Sequence, residues 1–188
     1  MVRSFETTPV PPDVLQRVLL LASKGPAAGN TQGLDLVVLE GEQTQRYWDA
    51  SLAPERRESF PWPGLLHAPV LIIPVGNSRA YVERYGENDK KKTGLGNDEG
   101  AWTVPYWYVD TAFSAMIALL ASVDSGLGAL FFGQFEHEPA IKKALGIPDD
   151  RRPVGTIALG YPNDDQRPSL SSQRPRRSLD EIVHRGGW

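Results

Sequence analysis

The run YVDTAFSAMIALLASVD, Tyr108 to Asp124, constrains this chain more than any other segment, because its apolar residues fall on almost every face of a helix. A helix at the surface of a domain shows one apolar stripe, whereas a helix that is apolar all round must be covered on all sides. A chain of 188 residues builds one sizeable core. That core leaves part of such a helix uncovered, so the pattern predicts a helix shared between the core and a subunit interface, and hence an obligate homodimer.

The flanking segments supply the partners for this helix. From Pro11 to Gly25 two prolines precede Val14, Leu15, Val18, Leu19 and Ala22 at helical spacing, and a glycine closes the run. Leu34 to Gly41 is β-rich and ends at glycine, while His67 to Gly76 is short, almost wholly apolar and bounded by prolines. Both read as strands, the second fully buried, and EQTQRYWDASL between them reads as a helix that packs Tyr47 and Trp48 on the sheet. SGLGALFFG gives a glycine turn into an apolar strand, Pro139 to Gly146 a short helix, and Val154 to Pro162 another buried strand. Helices and strands alternate without internal repeat. The expected fold is α/β (α+β), one domain over residues 1–188 with a sheet flanked by helices. An excursion at about residues 80–107 interrupts the pattern; it carries Asp89-Lys90-Lys91-Lys92, several glycines and then Trp102, Tyr106, Trp107 and Tyr108. So long a connection is either a functional lid or a disordered insertion.

Several kinds of chemistry find no support. The absence of cysteine excludes disulfides, thiolate metal sites and a cysteine nucleophile. His67, His137 and His184 lie far apart, and Glu136-His137-Glu138 lacks helical ligand spacing, so no metal site is expected. There is no G-x-S-x-G, and Gly126, Gly128 and Gly133 have the wrong spacing and context for a dinucleotide loop. Those glycines read either as a helix cap with a turn or as a close approach of backbone to a ligand. A net charge of -3 argues against general nucleic-acid binding. The N-terminus has no apolar signal run, and no apolar stretch approaches the roughly 20 residues that span a bilayer, so a cytoplasmic protein without membrane contact is expected. The basic residues gather instead in the tail. Arg174, Arg176 and Arg177 follow a Pro-Ser segment and read either as a solvated tail or as bidentate donors to a phosphate.

Taken in order, these segments resemble the nitroreductase family. Arg3-Ser4-Phe5 precedes Pro9-Val10, an amphipathic helix and Pro26-Ala27-Ala28-Gly29-Asn30-Thr31-Gln32. The long apolar helix, GLGALFFG, a helix ending in LGIP, the strand-turn IALGYP and an R-x-R before LDEIVHRGGW follow. The resemblance covers most of the chain apart from the excursion. It implies a mixed central sheet flanked by helices and an intertwined homodimer with two FMN sites built from both subunits. It further implies that Arg3 contacts the flavin or its ribityl chain, that Arg174 and Arg176 hold the phosphate, and that Pro26, Ala27, Ala28, Asn30 and Gln32 approach from the partner subunit. The backbone N–H of Gly133 then faces flavin N5, with Leu130 and Phe132 lining that face. Three departures stand out. Ala27 occupies a position usually held by serine, Gly33-Leu34 replaces a frequent tryptophan, and the basic residues common upstream of R-x-F are missing. Either the chain extends further upstream, or FMN affinity rests on the C-terminal arginines.

The activity so implied is an NAD(P)H-dependent oxidoreductase in which hydride passes through FMN N5 to a nitroaromatic, quinone or related small acceptor. Such chemistry needs positioning and electrostatic tuning and no side-chain acid or base. Trp102, Tyr106 and Trp107 either shape the acceptor pocket or pack in the core or interface. The rival readings are another reaction on the same scaffold, such as ene reduction or dehalogenation, and a flavin-binding or regulatory protein without turnover.

Overall fold

The computed structural model describes residues 1–188. Its centre is the almost wholly apolar segment anticipated as a buried strand, β2 (Val70–Asn77), which is preceded by β1 (Leu34–Glu40) along one edge. β3 (Gly128–Phe132), β4 (Arg151–Pro153) and β5 (Thr156–Gly160) complete a sheet of order β1-β2-β5-β3, with β4 pairing on the end of β2. Every pairing is antiparallel. The expected mixture of parallel and antiparallel strands is therefore corrected for the single chain: β2 and β3, which run in the same sense, are kept apart by the antiparallel β5, and the architecture is α+β.

The alternation of a strand's side chains divides the core into two. Leu71, Ile73 and Val75 of β2 join Leu130 and Ala158 beneath α2 (Thr44–Ser51) and α6 (Glu138–Leu145), where Tyr47, Trp48 and Ile141 are buried. Val70 and Ile72 join Ala129, Ile157 and Leu159 beneath α1 (Pro12–Ala22) and α5 (Tyr106–Asp124), against Val18, Ala115, Ala118 and Ala121. The small side chains of α5 let that helix lie close on the sheet. A short α3 (Pro54–Arg57) lies in the connection from α2 to β2.

Helix α5 is covered unevenly, as a helix apolar on more faces than one core can bury must be. Its alanine face is buried with Asp110, Thr111, Ser114 and Ser122, but Phe113, Met116, Leu120 and Val123 are 46%, 54%, 63% and 65% exposed. Within one chain the helix is thus covered on one face only. By length and composition α5 also passes as long and apolar enough to cross a bilayer, contrary to the expectation that no segment is, yet it is the core helix that packs on the sheet.

The excursion is more ordered than its composition suggests. It begins with α4 (Ser78–Tyr85), started by Asn77, whose side chain accepts the Ala80 N–H. The chain then folds back so tightly that a Cβ on Gly96 would lie 2.4 Å from the Gly86 nitrogen. Trp102 tucks against Tyr81 and Trp107, and Arg84 grips Asp89 through two guanidinium nitrogens at 2.7 and 2.8 Å. That pair holds the Asp89 carboxyl down at about 2, its largest cause being the hydrogen bond from Arg84.

At the other end of the molecule Phe5 bridges to Pro162, Gln166 ties the following turn to Arg3 and Ser4, and the chain beyond residue 167 is exposed almost throughout. Its short α7 (Leu179–Ile182) leaves Leu179 72% exposed, and Leu170 is 84% exposed.

Candidate functional site

The segment after α1 cannot continue as helix through Gly25-Pro26 and turns instead through three left-handed residues, Gly29, Asn30 and Gln32, at φ 62°, 53° and 57°. Left-handed backbone is costly for residues other than glycine and persists where neighbours hold it. Here the holders are visible. The buried Asp110 of α5 accepts the Ala28 N–H at 2.7 Å and the Tyr81 hydroxyl at 2.8 Å on one carboxylate oxygen. Arg84 donates to the Gly29 carbonyl at 2.9 Å, and the Thr31 hydroxyl donates to the Ala28 carbonyl. Burial, followed by the adjacent Asp110, pushes the Tyr81 phenol well above its ordinary range, so it remains a donor. So pinned, Pro26, Ala27, Asn30 and Gln32 line a cavity of about 490 Å³ together with Lys24 and Asp110.

The second group lies at the end of β3, in the opposite layer. Phe132 stacks parallel to Trp48 at 6.0 Å and meets Tyr47 edge-on. With Gly133, Gln134 and His137 these rings line a cavity of about 180 Å³. A Cβ on Gly133 would come within 2.7 Å of the Phe135 ring, and Phe135 itself is left-handed and 82% exposed. Beneath the cavity runs a buried chain: the Gln134 amide donates to the Thr156 hydroxyl, which donates to the Tyr47 oxygen, both at 2.9 Å. Trp48 Nε1 and Gln134 Oε1 are buried without a partner. Leu130, expected to line the flavin face, is sunk in the core and does not reach this cavity, because it sits two residues deeper along the strand.

The arginines form a third group. The Arg3 guanidinium lies over the Trp62 ring at 5.2 Å, the Arg3 backbone N–H donates to the Gln166 side-chain oxygen, and Arg3 shares a narrow cleft with Asp165 and Arg167. Arg174 and Arg176 stand exposed on the tail. The single chain thus brings Pro26, Ala27, Asn30 and Gln32 together, and Phe132 with Gly133, but separates these groups by the sheet. By donor type the residues suit FMN: guanidinium groups for a phosphate, amides at Asn30 and Gln32 for ring heteroatoms, and missing or minimal side chains at Gly133, Ala27 and Ala28 for a flat ring. Asp110 escaped the sequence reading, although an aspartate within an otherwise apolar helix was the signal that marks it. Phe135 gave no such signal.

The chain is similar to known proteins along this same course. Its residues 1–161 match the model of the Nitroreductase family, so Arg174 and Arg176 lie beyond the match. An NADPH-dependent oxidoreductase of Staphylococcus aureus (strain bovine RF122 / ET3-1) is 23% identical over 186 residues, covering 97% of this chain and 68% of the relative. A nitroreductase-like protein from Streptococcus mutans superposes with a TM-score of 0.73 at 20% identity, over 97% of this chain and 91% of the other. An FMN-dependent nitroreductase from Clostridium difficile R20291 does so with 0.67 at 16% identity, over 100% and 94%. The structural likenesses establish the shared fold, and the match across residues 1–161 establishes that the chain belongs to the nitroreductase family.

Proposed function

We propose that this protein is a homodimeric, FMN-dependent oxidoreductase of the cytoplasm that uses NAD(P)H to reduce a nitroaromatic, a quinone or a related small acceptor. The observation that carries the reading is the division of the site residues between two sheet faces of a chain whose α5 leaves an apolar stripe uncovered. A site split in this way is complete only if a second copy supplies the missing half, and the stripe offers the surface on which that copy docks. Bound FMN would supply the redox relay, accepting hydride from the nicotinamide at N5 and passing two electrons to the acceptor.

The protein's part is positional. Arg174 and Arg176 neutralise and orient the phosphate, and Arg3 contacts the flavin or its ribityl chain; charged donors of this kind contribute about 1.5–3 kcal/mol each. Asn30 and Gln32, fixed by the Asp110 anchor, present amides towards the ring. Gly133 leaves its side of the ring free of a Cβ, and Phe132 adds an aromatic wall. The relatives named as NADPH-dependent or FMN-dependent support this reading. The test is the visible spectrum of the purified protein, with release of its chromophore, followed by NADH and NADPH consumption with and without a nitroarene. A yellow protein that releases FMN and consumes either nucleotide is expected. A colourless protein that neither takes up FMN nor oxidises either nucleotide would overturn the proposal, and one that binds FMN without turnover would reduce it to a flavin-binding protein.

A further inference from the structure

One face of α4 carries Tyr81, Arg84 and Tyr85, three and four residues apart, and all three meet the backbone of residues 28–33. A Cβ on Gly33 would come within 2.6 Å of the Tyr81 ring, and one on Gly29 within 2.9 Å of the Tyr85 ring. Between these rings Arg84 Nε donates to the Gly29 carbonyl at 2.9 Å. That carbonyl belongs to the peptide unit that leads into Asn30, and the N–H of the same unit donates to the Ala27 carbonyl at 2.9 Å. The Asn30 φ of 53° is measured from this unit, so holding both of its ends holds a left-handed residue that would otherwise relax.

The far side of the same guanidinium is taken by the excursion. Nη1 donates to Glu87 at 2.9 Å, and Nη1 and Nη2 donate to the two oxygens of Asp89 at 2.7 and 2.8 Å. The group is planar and always charged, so its two sides move as one, which an ammonium on a flexible stem does not reproduce. The excursion also closes on Tyr85, with the Trp102 ring edge-on at 4.7 Å and Lys90 Nζ 5.8 Å from the ring centre. The Arg84 side chain is 23% exposed and that of Asp89 58%, so the carboxylate can be removed without opening a core.

We propose that the excursion is a strut for the site: through Arg84 it sets the backbone of residues 29–32, which makes Arg84 a positioning residue for the amides of Asn30 and Gln32. That those amides meet a flavin rests on the function proposed above; that the excursion holds their backbone rests on the contacts alone. Asp110 fixes the Ala28 N–H from the core side, and Arg84 fixes the next peptide unit but one from the excursion side. A change in the excursion therefore reaches Asn30 and Gln32 without passing through the core.

The test is amide hydrogen exchange of the purified protein, read at Asn30 and Thr31, whose N–H groups are bonded to the Ala27 and Ala28 carbonyls, with FMN titration alongside. Arg84→Gln is expected to speed exchange at both amides by roughly tenfold or more, with the β2 amides unchanged. Asp89→Ala, which alters no residue of the segment, is expected to act in the same direction by roughly threefold or more. In the titration Arg84→Gln should weaken FMN by roughly tenfold in the parent but by less than about threefold once Asn30 and Gln32 are both alanine, because nothing then remains to be positioned. Exchange at Asn30 and Thr31 indifferent to Arg84→Gln overturns the strut. So does an effect of Arg84→Gln beside an inert Asp89→Ala, since the excursion then plays no part, and so do FMN losses that add in full. FMN uptake by the parent keeps the two proposals apart. A parent that takes up no flavin, with exchange quickened by both substitutions, sinks the flavin reading and leaves the strut; a flavin-binding parent indifferent to both does the reverse.

Discussion

At Gly133 a Cβ would meet the far edge of the Phe135 ring at 2.7 Å, and that ring, 82% exposed, can turn aside. Displacing an exposed ring costs little, so Gly133→Ala is expected to stay within about 0.5 kcal/mol of the parent in stability, and Phe135→Ala in the same chain removes even that contact. The pair separates two roles of one glycine. If the space is also needed by a flavin, the double variant folds like the parent but binds FMN at least tenfold more weakly; normal FMN binding in the double variant would leave Gly133 a purely structural role. Nearby, burial raises the Tyr47 phenol to about 12, against a smaller opposing effect of the hydrogen bond from Thr156. The folded value lies above the unfolded one of about 10, so stability is complete below that pH and is lost as pH rises through about 12. Tyr47→Phe deprives the Thr156 hydroxyl of its acceptor, at a cost of about 1 kcal/mol, and removes the ionisation. Urea denaturation should find it less stable at neutral pH and flatter in alkali, and an unchanged alkaline slope would assign the titration to another group.

At the scale of elements, α5 carries the most consequence, because one helix supplies the Asp110 anchor, the alanine face on the sheet and the bare stripe of Phe113, Met116, Leu120 and Val123. Each such side chain gains about 1.5–3 kcal/mol when buried, so four from each of two copies outweigh much of the cost of association. Sedimentation at low micromolar concentration is expected to show a dimer, and Leu120→Glu, which sets two carboxylates near a two-fold contact, should raise its dissociation constant at least tenfold. A compact, well-behaved parent monomer would contradict the shared-site reading. The sequence revealed that α5 has too many apolar faces but could not say which of them meets the sheet. That choice falls to Ala115, Ala118 and Ala121, whose small size permits the close approach. β2 was legible from its continuous apolar run and α1 from its prolines and closing glycine, since both signals are local. β4 was not, because Arg151-Arg152-Pro153 has no strand pattern of its own and exists by pairing with β2. Nor was α4, whose Asn77 cap and polar turns read as part of a loop.

Across the whole molecule, the residue types of a phosphate and flat-ring site were legible, whereas their distribution was not: contacts among residues 3, 26–32, 130–133 and 174–176 depend on which sheet face each segment meets. Leu130 and Phe132 share a face by alternation, yet only depth along β3 decides that one is core and the other lines a cavity. The tail is the extreme case. Arg174 and Arg176 stand exposed on a segment that packs on almost nothing in its own chain, so any work they do is done on a ligand or a second copy. If they grip the FMN phosphate, replacing both by alanine should weaken FMN by roughly a hundredfold or more, with allowance for non-additivity, since each charged hydrogen bond contributes about 1.5–3 kcal/mol. Riboflavin lacks the phosphate and should lose little. The same exposure makes the comparison clean, because removing the two side chains disturbs no packing within the chain. Calorimetry of both ligands against the double variant therefore reads the phosphate contact alone: a large FMN loss beside an unchanged riboflavin affinity fixes the arginines on the phosphate, while equal losses would mean that the tail secures the dimer and that the phosphate is held elsewhere, with Arg3 and Arg167 in their common cleft the next residues to replace.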